Sequence, residues 1–160
     1  MDKRIKRYFD FNSPVGAIRI IENGKAIISL KFIVNPSNPP LDTVEQETPL
    51  IKETFKQLTE YFDGKLTVFD VPVDAQGTEF QQSVWKALCT IPYGETRTYK
   101  QIAELVNCPK GARAIGMANN RNPVAIIIPC HRIIGADGSL TGYASGLHNK
   151  EKLLQIESNQ

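Results

Sequence analysis

The hydrophobic pattern of this chain changes near residue 76, and that change restricts the possible folds more than any other feature. Before it, residues 15–21 and 26–34 are rich in Val, Ile and Leu, and Asn23-Gly24 between them is typical of a hairpin turn. From Thr78 onward, apolar residues recur at helical spacing. We therefore predict an α/β (α+β) fold, with a strand-rich subdomain over residues 1–75 and a mainly helical domain over residues 76–160.

The first part also contains one strong helix signal. Thr48 is suited to cap a helix that begins at Pro49 and ends at Phe62, and Gly64 lies just beyond its end. Residues 66–73 then have the composition of a further short strand.

Two capping boxes mark helix starts in the second part. Thr78 with Gln81 and Thr98 with Gln101 place a hydroxyl and an amide three residues apart, which satisfies the first free N–H groups of a helix. The first of these helices is predicted to turn one apolar face inward, made of Phe80, Val84, Trp85 and Leu88.

Three further segments complete the second part. A helix over residues 112–121 must stop at Asn122-Pro123, because the residue before a proline disfavours helical geometry. With the helix before it and the turn at 107–111, it predicts a helix-turn-helix. The four glycines of residues 135–146 indicate a loop or hairpin, and residues 147–157 a last helix.

Composition and charge exclude several classes of protein. The chain is 41% hydrophobic and 22% charged, as in soluble globular proteins, and no apolar run approaches the ~20 residues that cross a bilayer. Three cysteines without a CxxC pair indicate reduced thiols inside the cell, so we expect a cytoplasmic protein that binds no membrane. Residues 76–134 hold 7 Lys and Arg against 3 Asp and Glu, which is compatible with a polyanionic partner.

Residues 127–134, which read IIPCHRII, contain the strongest chemical signal. An apolar run over residues 124–128 predicts a buried strand that ends at Pro129 and is followed by Cys130, His131 and Arg132. Positive neighbours favour the thiolate, so Cys130 is a candidate nucleophile; the alternative is an inert core thiol. A direct contact between Cys130 and His131 does not follow from adjacency. A bend after Pro129 or a bridging water would be needed.

The helix over residues 112–121 is made mostly of small residues, which lets it approach a partner closely. The small residues are Ala112, Ala114, Gly116 and Ala118, while Arg113, Met117 and Asn120 recur along one face and Arg121 lies at the end. Arginines at the ends of such a helix suit DNA phosphates or an unstacked base pair. Tight packing onto a neighbouring helix would explain the small residues equally well.

Glu157 lies on the same face of the last helix as Leu153 and Leu154. A carboxylate turned towards a core needs a partner, and an imidazole held in one tautomer is such a partner. The alternative is a frayed turn near the chain end. Tyr99 can donate a hydrogen bond or pack in the core, and Asn122 can stabilise a turn or bind backbone near the thiol.

The remaining cysteines and the second histidine carry weaker signals. Cys89 reads as an inert core thiol, and His148 reads as a solvated surface residue. Cys108 lies in the predicted turn without companions that would make a metal site.

Several of these residues together resemble the methylated-DNA–protein-cysteine methyltransferases, the proteins that repair 6-O-alkylguanine. The motifs are Pro129-Cys130-His131-Arg132, Asn122-Pro123, Arg113, Tyr99 and Gly142-Tyr143. The resemblance is dense from about residue 78 to residue 157 and looser before that. It implies a small ribonuclease-H-like α/β subdomain followed by a winged helix-turn-helix domain that carries the active site.

The resemblance also implies the chemistry. Cys130 would accept the alkyl group of 6-O-alkylguanine, and of 4-O-methylthymine, in one irreversible turnover after the base is flipped. His131 would help to deprotonate Cys130 through a water and would be held by Glu157. Tyr99 would donate a hydrogen bond to the flipped base, and Asn122 would brace the segment that bears the cysteine.

The implied partner is double-stranded DNA that contains alkylated guanine. Arg113 would take the place of the flipped nucleotide while its helix lies in the minor groove. DNA contacts would come from Ala112, Arg113, Ala114, Gly116, Met117, Asn120 and Arg121, and the base pocket from Tyr143, Ala144 and Ser145. We expect a monomer that uses no cofactor. We also expect no metal, because the zinc-binding Cys and His residues in the N-terminal region of some relatives do not appear here.

Two other functions are compatible with these residues. A helix-turn-helix protein could bind alkylated DNA, or regulate transcription, without transferring the group. A thiol hydrolase could use Cys130 and a histidine, but it would turn over and would need an oxyanion hole, for which the sequence shows no distinct signal.

Overall fold

The computed structural model describes residues 5–34 and 38–158. Its contacts divide the chain into two compact units, Met1–Ala75 and Gln76–Gln160. No helix in the described ranges has the length and apolar character needed to cross a membrane.

The first unit is built on a four-stranded sheet of order β3-β2-β1-β4. Three antiparallel strands, β1 (Lys6–Ser13), β2 (Gly16–Glu22) and β3 (Ile27–Phe32), are followed by β4 (Thr43–Glu45), which runs parallel to β1. The hairpin between β2 and β3 is confirmed. Strands β1 and β4 were not predicted, because β1 contains charged residues and buries only Tyr8, and β4 has only 3 residues.

Helix α1 (Pro49–Phe62) packs on this sheet, and its predicted ends are confirmed. The Thr48 side chain accepts a hydrogen bond from the Ile51 N–H, and Gly64 takes a positive φ of 74° just beyond the helix. The helix buries Ile51, Leu58 and Tyr61 completely, which anchors it to the apolar face of the sheet.

The predicted strand over residues 66–73 is wrong. Only Val73 forms an isolated bridge, to Ile27, and the rest of the segment is irregular. One reason is that the Gln57 side chain binds both backbone groups of Asp70: it accepts from the N–H at 2.8 Å and donates to the carbonyl at 3.1 Å. A side chain thus satisfies backbone groups that a strand ladder would otherwise pair.

Within the described residues, the second unit contains four α-helices near the predicted positions. They are α2 (Glu79–Leu88), α3 (Tyr99–Leu105), α4 (Ala112–Asn120) and α5 (Leu147–Ser158). Both capping boxes form as expected. Helix α4 ends one residue earlier than predicted, and Phe80 is 36% exposed, so it does not belong to the buried face of α2.

Helices α3 and α4 form the helix-turn-helix, and α2 packs against both. The turn between α3 and α4 uses a positive φ of 57° at Asn107. The Trp85 indole donates to the carbonyl of Ala118 at 2.9 Å and so fixes the end of α4. Two short parallel strands, β5 (Arg97–Thr98) and β6 (Ile133–Ile134), join the segments on either side of this motif.

The apolar run over residues 124–128 is buried, as expected, except for the partly exposed Ile127, but it is not the predicted strand. It forms tight turns, with bonds from the Ile127 N–H to the Ala125 carbonyl at 2.8 Å and from the Ile128 N–H to the Val124 carbonyl at 3.0 Å. Ile126 has a φ of 72°. The run is apolar because it is buried, and burial alone does not distinguish a strand from a buried turn.

Candidate active site

Cys130 begins a 3-10 helix, Cys130–Arg132, rather than extending from the end of a strand. The Cys130 N–H donates to the Ile128 carbonyl at 2.7 Å, and the residue is 6% exposed. In a 3-10 turn, adjacent side chains point about 120° apart. The two neighbours of the motif, Cys130 and His131, therefore face different surroundings.

The segment before Cys130 is held by Asn122 and carries backbone strain. Asn122 donates to the Ile128 carbonyl at 2.8 Å and accepts from the Val124 N–H at 3.0 Å, so it both stabilises a turn and braces the cysteine segment. Between these bonds, the positive φ of Ile126 is unfavourable for a β-branched residue, by about 1–3 kcal/mol. The burial of Ile126 and the Asn122 bonds hold this conformation in place.

Glu157 is buried and binds the side chains of His131 and Arg132. His131 Nε2 lies 2.6 Å from Glu157 Oε2, and Arg132 donates to the same carboxylate through Nε at 2.8 Å and Nη2 at 3.0 Å. The Glu157 side chain is 1% exposed, so it is not part of a frayed terminus. The sequence suggested the pair of His131 and Glu157. The part played by Arg132 in holding Glu157 was missed.

The connection between α2 and β5 supports the Arg132 side of this cluster. Arg132 Nη1 donates to the Ile91 carbonyl at 2.7 Å, and its guanidinium lies 5.8 Å from the centre of the Tyr93 ring. The Gly94 N–H makes a longer bond of 3.4 Å to Glu157. The carboxylate is therefore fixed from several directions, which makes it a rigid support for one tautomer of His131.

Burial lowers the pKa of His131, although Glu157 opposes that shift. Because Arg132 already neutralises Glu157, a protonated imidazole would be an additional charge in a buried site. The structure thus favours a neutral His131, which is the form that can accept a proton. With Nε2 facing Glu157, the proton would be taken by Nδ1, the other ring nitrogen.

Burial also raises the pKa of the Cys130 thiol, against the opposing effects of Asn122, Tyr143 and Lys150. Lys150 is fully buried and donates to the Thr141 carbonyl at 2.8 Å. Burial lowers the pKa of Lys150 to about 8, and Cys130 opposes that shift. Sequence reasoning missed this lysine, although it lies seven residues before Glu157, at a helical spacing that places both on one face of α5.

Tyr99 lies at the edge of the site and is partly exposed. Its hydroxyl donates to the Thr141 carbonyl at 3.2 Å, the same oxygen that receives Lys150. A Cβ added to Gly116 would lie 3.6 Å from the Tyr99 ring, and one added to Gly142 would lie 3.6 Å from its hydroxyl. Tyr99 is thus placed between α4 and the loop that precedes α5.

The predicted pocket residues lie on that loop. Tyr143 and Ser145 are partly exposed, and Ala144 is exposed. Tyr143 affects the pKa of the Cys130 thiol, so it lies near the sulfur. No interaction of Ala144 indicates its role.

The outer face of α4 is open, as expected for a surface that binds a partner. Exposed residues on or just after it are Ala112, Arg113, Ala114, Met117, Asn120 and Arg121, whereas Gly116 is partly covered. A cavity of about 480 Å³ opens beside it, lined by Thr98, Tyr99, Lys100, Ala112, Arg113 and Ala136. The buried face carries Ile115, Ala118 and Asn119, so the small residues serve the outer face as well as packing.

The other two cysteines are separate from this cluster. Cys89 is exposed at the end of α2, so its prediction as a core thiol is wrong, and Cys108 is partly exposed in the helix-turn-helix turn. The predicted surface position of His148 is confirmed. In the part of the chain that the structure describes, no cluster of His, Cys, Asp and Glu could hold a metal ion.

Comparison with known proteins agrees with both units. Residues 6–75 match the family model described as 6-O-methylguanine DNA methyltransferase, ribonuclease-like domain, and residues 79–159 match its DNA binding domain. The chain belongs to the methylated-DNA–protein-cysteine methyltransferase family. A methylated-DNA–protein-cysteine methyltransferase of Methanosarcina barkeri is 53% identical over 155 residues, which cover 95% of this chain and 98% of that protein.

Solved members of the family have the same fold. The crystal structure of Mycobacterium tuberculosis OGT in complex with DNA is 44% identical, with a TM-score of 0.88, and the match covers 95% of this chain and 92% of that one. A more distant methyltransferase from Pyrococcus kodakaraensis, 21% identical, covers 95% of this chain and 98% of its own with a TM-score of 0.58. The predicted two-part α/β architecture of this methyltransferase is therefore confirmed.

Proposed function

We propose that this protein repairs DNA by direct reversal, moving the alkyl group of 6-O-alkylguanine, and also of 4-O-methylthymine, to Cys130. The observation that carries this proposal is the buried cluster of Cys130, His131 and Glu157 in a chain that belongs to this family. It supplies a thiol, a neutral imidazole and a carboxylate that orients the imidazole.

The reaction exchanges one bond for another. The Cys130 thiol gives its proton to His131 through a water, and the thiolate attacks the methyl carbon in line with the carbon–oxygen bond. A sulfur–carbon bond forms as the carbon–oxygen bond breaks, and the electron pair stays on the guanine, to which Tyr99 donates a hydrogen bond. The guanine then takes up one proton, which balances the proton that Cys130 gave to His131. The products are unmodified guanine and S-methylcysteine, so each molecule reacts once.

The base must leave the duplex before the sulfur can reach it. The Cys130 residue is buried, and an alkyl group on the guanine oxygen is hidden in the base stack. The base must therefore be extruded, and unstacking it costs a few kcal/mol. Arg113, exposed on α4, would fill the gap in the stack while α4 occupies the minor groove. We propose that the protein acts as a monomer in the cytoplasm, in contact with the chromosome.

One experiment distinguishes alkyl transfer from the two other functions that the sequence allows. The protein is mixed with duplex oligonucleotide that contains 6-O-methylguanine, and its intact mass and peptide map are measured. We expect one added methyl group on Cys130, in one-to-one ratio with repaired guanine, while Cys89 and Cys108 stay unmodified. The Cys130→Ala variant should bind the oligonucleotide and gain no mass.

Two results would contradict this proposal. Repeated turnover without a modified cysteine would indicate a hydrolase. Tight binding of the lesion with no change in mass would indicate a protein that only marks alkylated DNA.

A further inference from the structure

Asn119 is a second buried amide beside the nucleophile. It is 2% exposed, and its Nδ2 donates to the carbonyl of Cys130 at 3.2 Å. A carbonyl oxygen only accepts hydrogen bonds, so the amide nitrogen has to face Cys130 and the amide oxygen has to point away.

The other half of this amide, Oδ1, has no partner among the described residues. Asn119 Oδ1 is buried and receives no hydrogen bond from any residue within 5–34 or 38–158. An amide that makes one bond adds little to stability, because the gain from its bond to the Cys130 carbonyl is offset by the buried, unpaired Oδ1. Asn119 is therefore better explained by its effect on Cys130 than by its contribution to folding.

The position of Asn119 on α4 shows how it can act on Cys130. Its neighbour Ala118 is anchored by the Trp85 indole, so the end of α4 is held firmly. Asn122, just past the helix, binds the carbonyl of Ile128, and Asn119 binds the carbonyl of Cys130. The end of α4 thus holds the chain on both sides of Pro129, a residue that has no N–H group of its own.

We propose that Asn119 is a positioning residue for alkyl transfer: it holds the Cys130 peptide to α4 and thereby sets the direction of the sulfur. The proposal rests on the proposed function above. Because the same sulfur attacks a base extruded from a duplex and a free modified base, loss of this bond should slow both reactions to the same extent. A residue that only helps to bind or open DNA would affect the duplex reaction alone.

The test uses Asn119→Leu, which keeps the size of the side chain and removes the donor. We expect the saturating rate of methyl transfer to fall about tenfold with duplex DNA, equal to about 1.4 kcal/mol of transition-state stabilisation. The rate with free 6-O-methylguanine should fall by the same factor. The Kd for unmodified duplex should not change. The urea midpoint, followed by circular dichroism, should change little, because the variant removes the unpaired Oδ1 and leaves the Cys130 carbonyl unpaired instead.

Gln57→Leu is the matched control. It also removes a buried amide, but one that binds Asp70 in both directions and lies in the first unit. This variant should lower the urea midpoint and leave the transfer rate per folded molecule unchanged. Asn119→Leu should therefore lose transfer rate and keep its stability, whereas Gln57→Leu should lose stability and keep its transfer rate.

Rates for Asn119→Leu within twofold of the wild type on both substrates would overturn the proposal. A loss confined to duplex DNA would also overturn it, because the residue would then act in DNA binding. If the wild type itself gained no methyl group, the proposed function would fail separately. The role of Asn119 would then be tested by the alkylation of Cys130 with iodoacetamide, which should slow in Asn119→Leu; an unchanged rate would overturn it.

Discussion

Replacing Arg132 or Glu157 alone should destabilise the second unit more than replacing both. The Glu157 side chain is 1% exposed and the Arg132 side chain is 9% exposed, so each single change leaves an unpaired charge in a site from which water is excluded. Removing one partner of a buried pair costs about 3–5 kcal/mol. In a domain with a stability of about 5–15 kcal/mol, such a loss is easily measured.

The two single variants should differ in a way that the geometry explains. In Glu157→Leu the guanidinium keeps only its bond to Ile91 and its contact with Tyr93, so the cost should lie near the upper end, about 5 kcal/mol. In Arg132→Met the carboxylate still faces His131 at 2.6 Å. His131 can then take up a proton and neutralise it, so the cost should lie near about 3 kcal/mol.

The double variant contains no unpaired charge, so its cost should be below about 3 kcal/mol, which is about 5 kcal/mol or more below the sum of the two single costs. Urea unfolding followed by tryptophan fluorescence measures this directly, because Trp85 is the one tryptophan of the chain and lies buried in the second unit. NMR titration of His131 gives an independent check, since its pKa should rise in Arg132→Met. Additive single effects, within about 0.5 kcal/mol, would refute the reasoning.

Three further outcomes follow from the strained and buried groups. Lys150→Met should raise the stability at pH 7 by up to about 3 kcal/mol and slow methyl transfer. The folded-state pKa of Lys150 is about 8 and the unfolded value is about 10.5, so wild-type stability should rise between these pH values. The difference between the urea midpoints of the wild type and Lys150→Met should therefore disappear over that range. Ile126→Gly should be more stable than Ile126→Ala by about 1 kcal/mol in calorimetry, the reverse of the order at an ordinary backbone position. The lowered pKa of His131 means that the unfolded chain binds more protons below about pH 6.5, so stability should fall by up to about 2 kcal/mol by pH 5, and a His131→Gln variant should lack that part of the slope.

Helix ends and the nucleophile motif could be read from the sequence because their determinants are local. Thr48, Thr78 and Thr98 each cap a helix at the predicted residue, since a cap depends only on the three or four residues that follow. The cysteine motif was recognisable for a similar reason, because its residues are consecutive. Glu157, 26 residues away from His131, was singled out because it shares a helix face with Leu153 and Leu154, and the family resemblance then paired it with His131.

The backbone around Cys130 could not be read in the same way. The run over residues 124–128 is apolar because it is buried, and the same composition suits a strand or a buried turn. Its turn geometry depends on Asn122 and on the left-handed conformation of Ile126, which is held by the surrounding core. Strand β1 was missed for the opposite reason, since its partners β2 and β4 impose the extended form on a sequence with charged residues.

By itself, the sequence determined which residues could react and where most helices begin and end. The tertiary structure decided how the reactive groups are supported: Arg132 on Glu157, Lys150 in the core near Cys130, and Asn119 on the Cys130 carbonyl. The physical reason is that a buried polar group is stable only beside a suitable partner. The two hydrogen-bonded pairs among them lie 11 and 25 residues apart in the sequence, so only folding brings their atoms within hydrogen-bond distance.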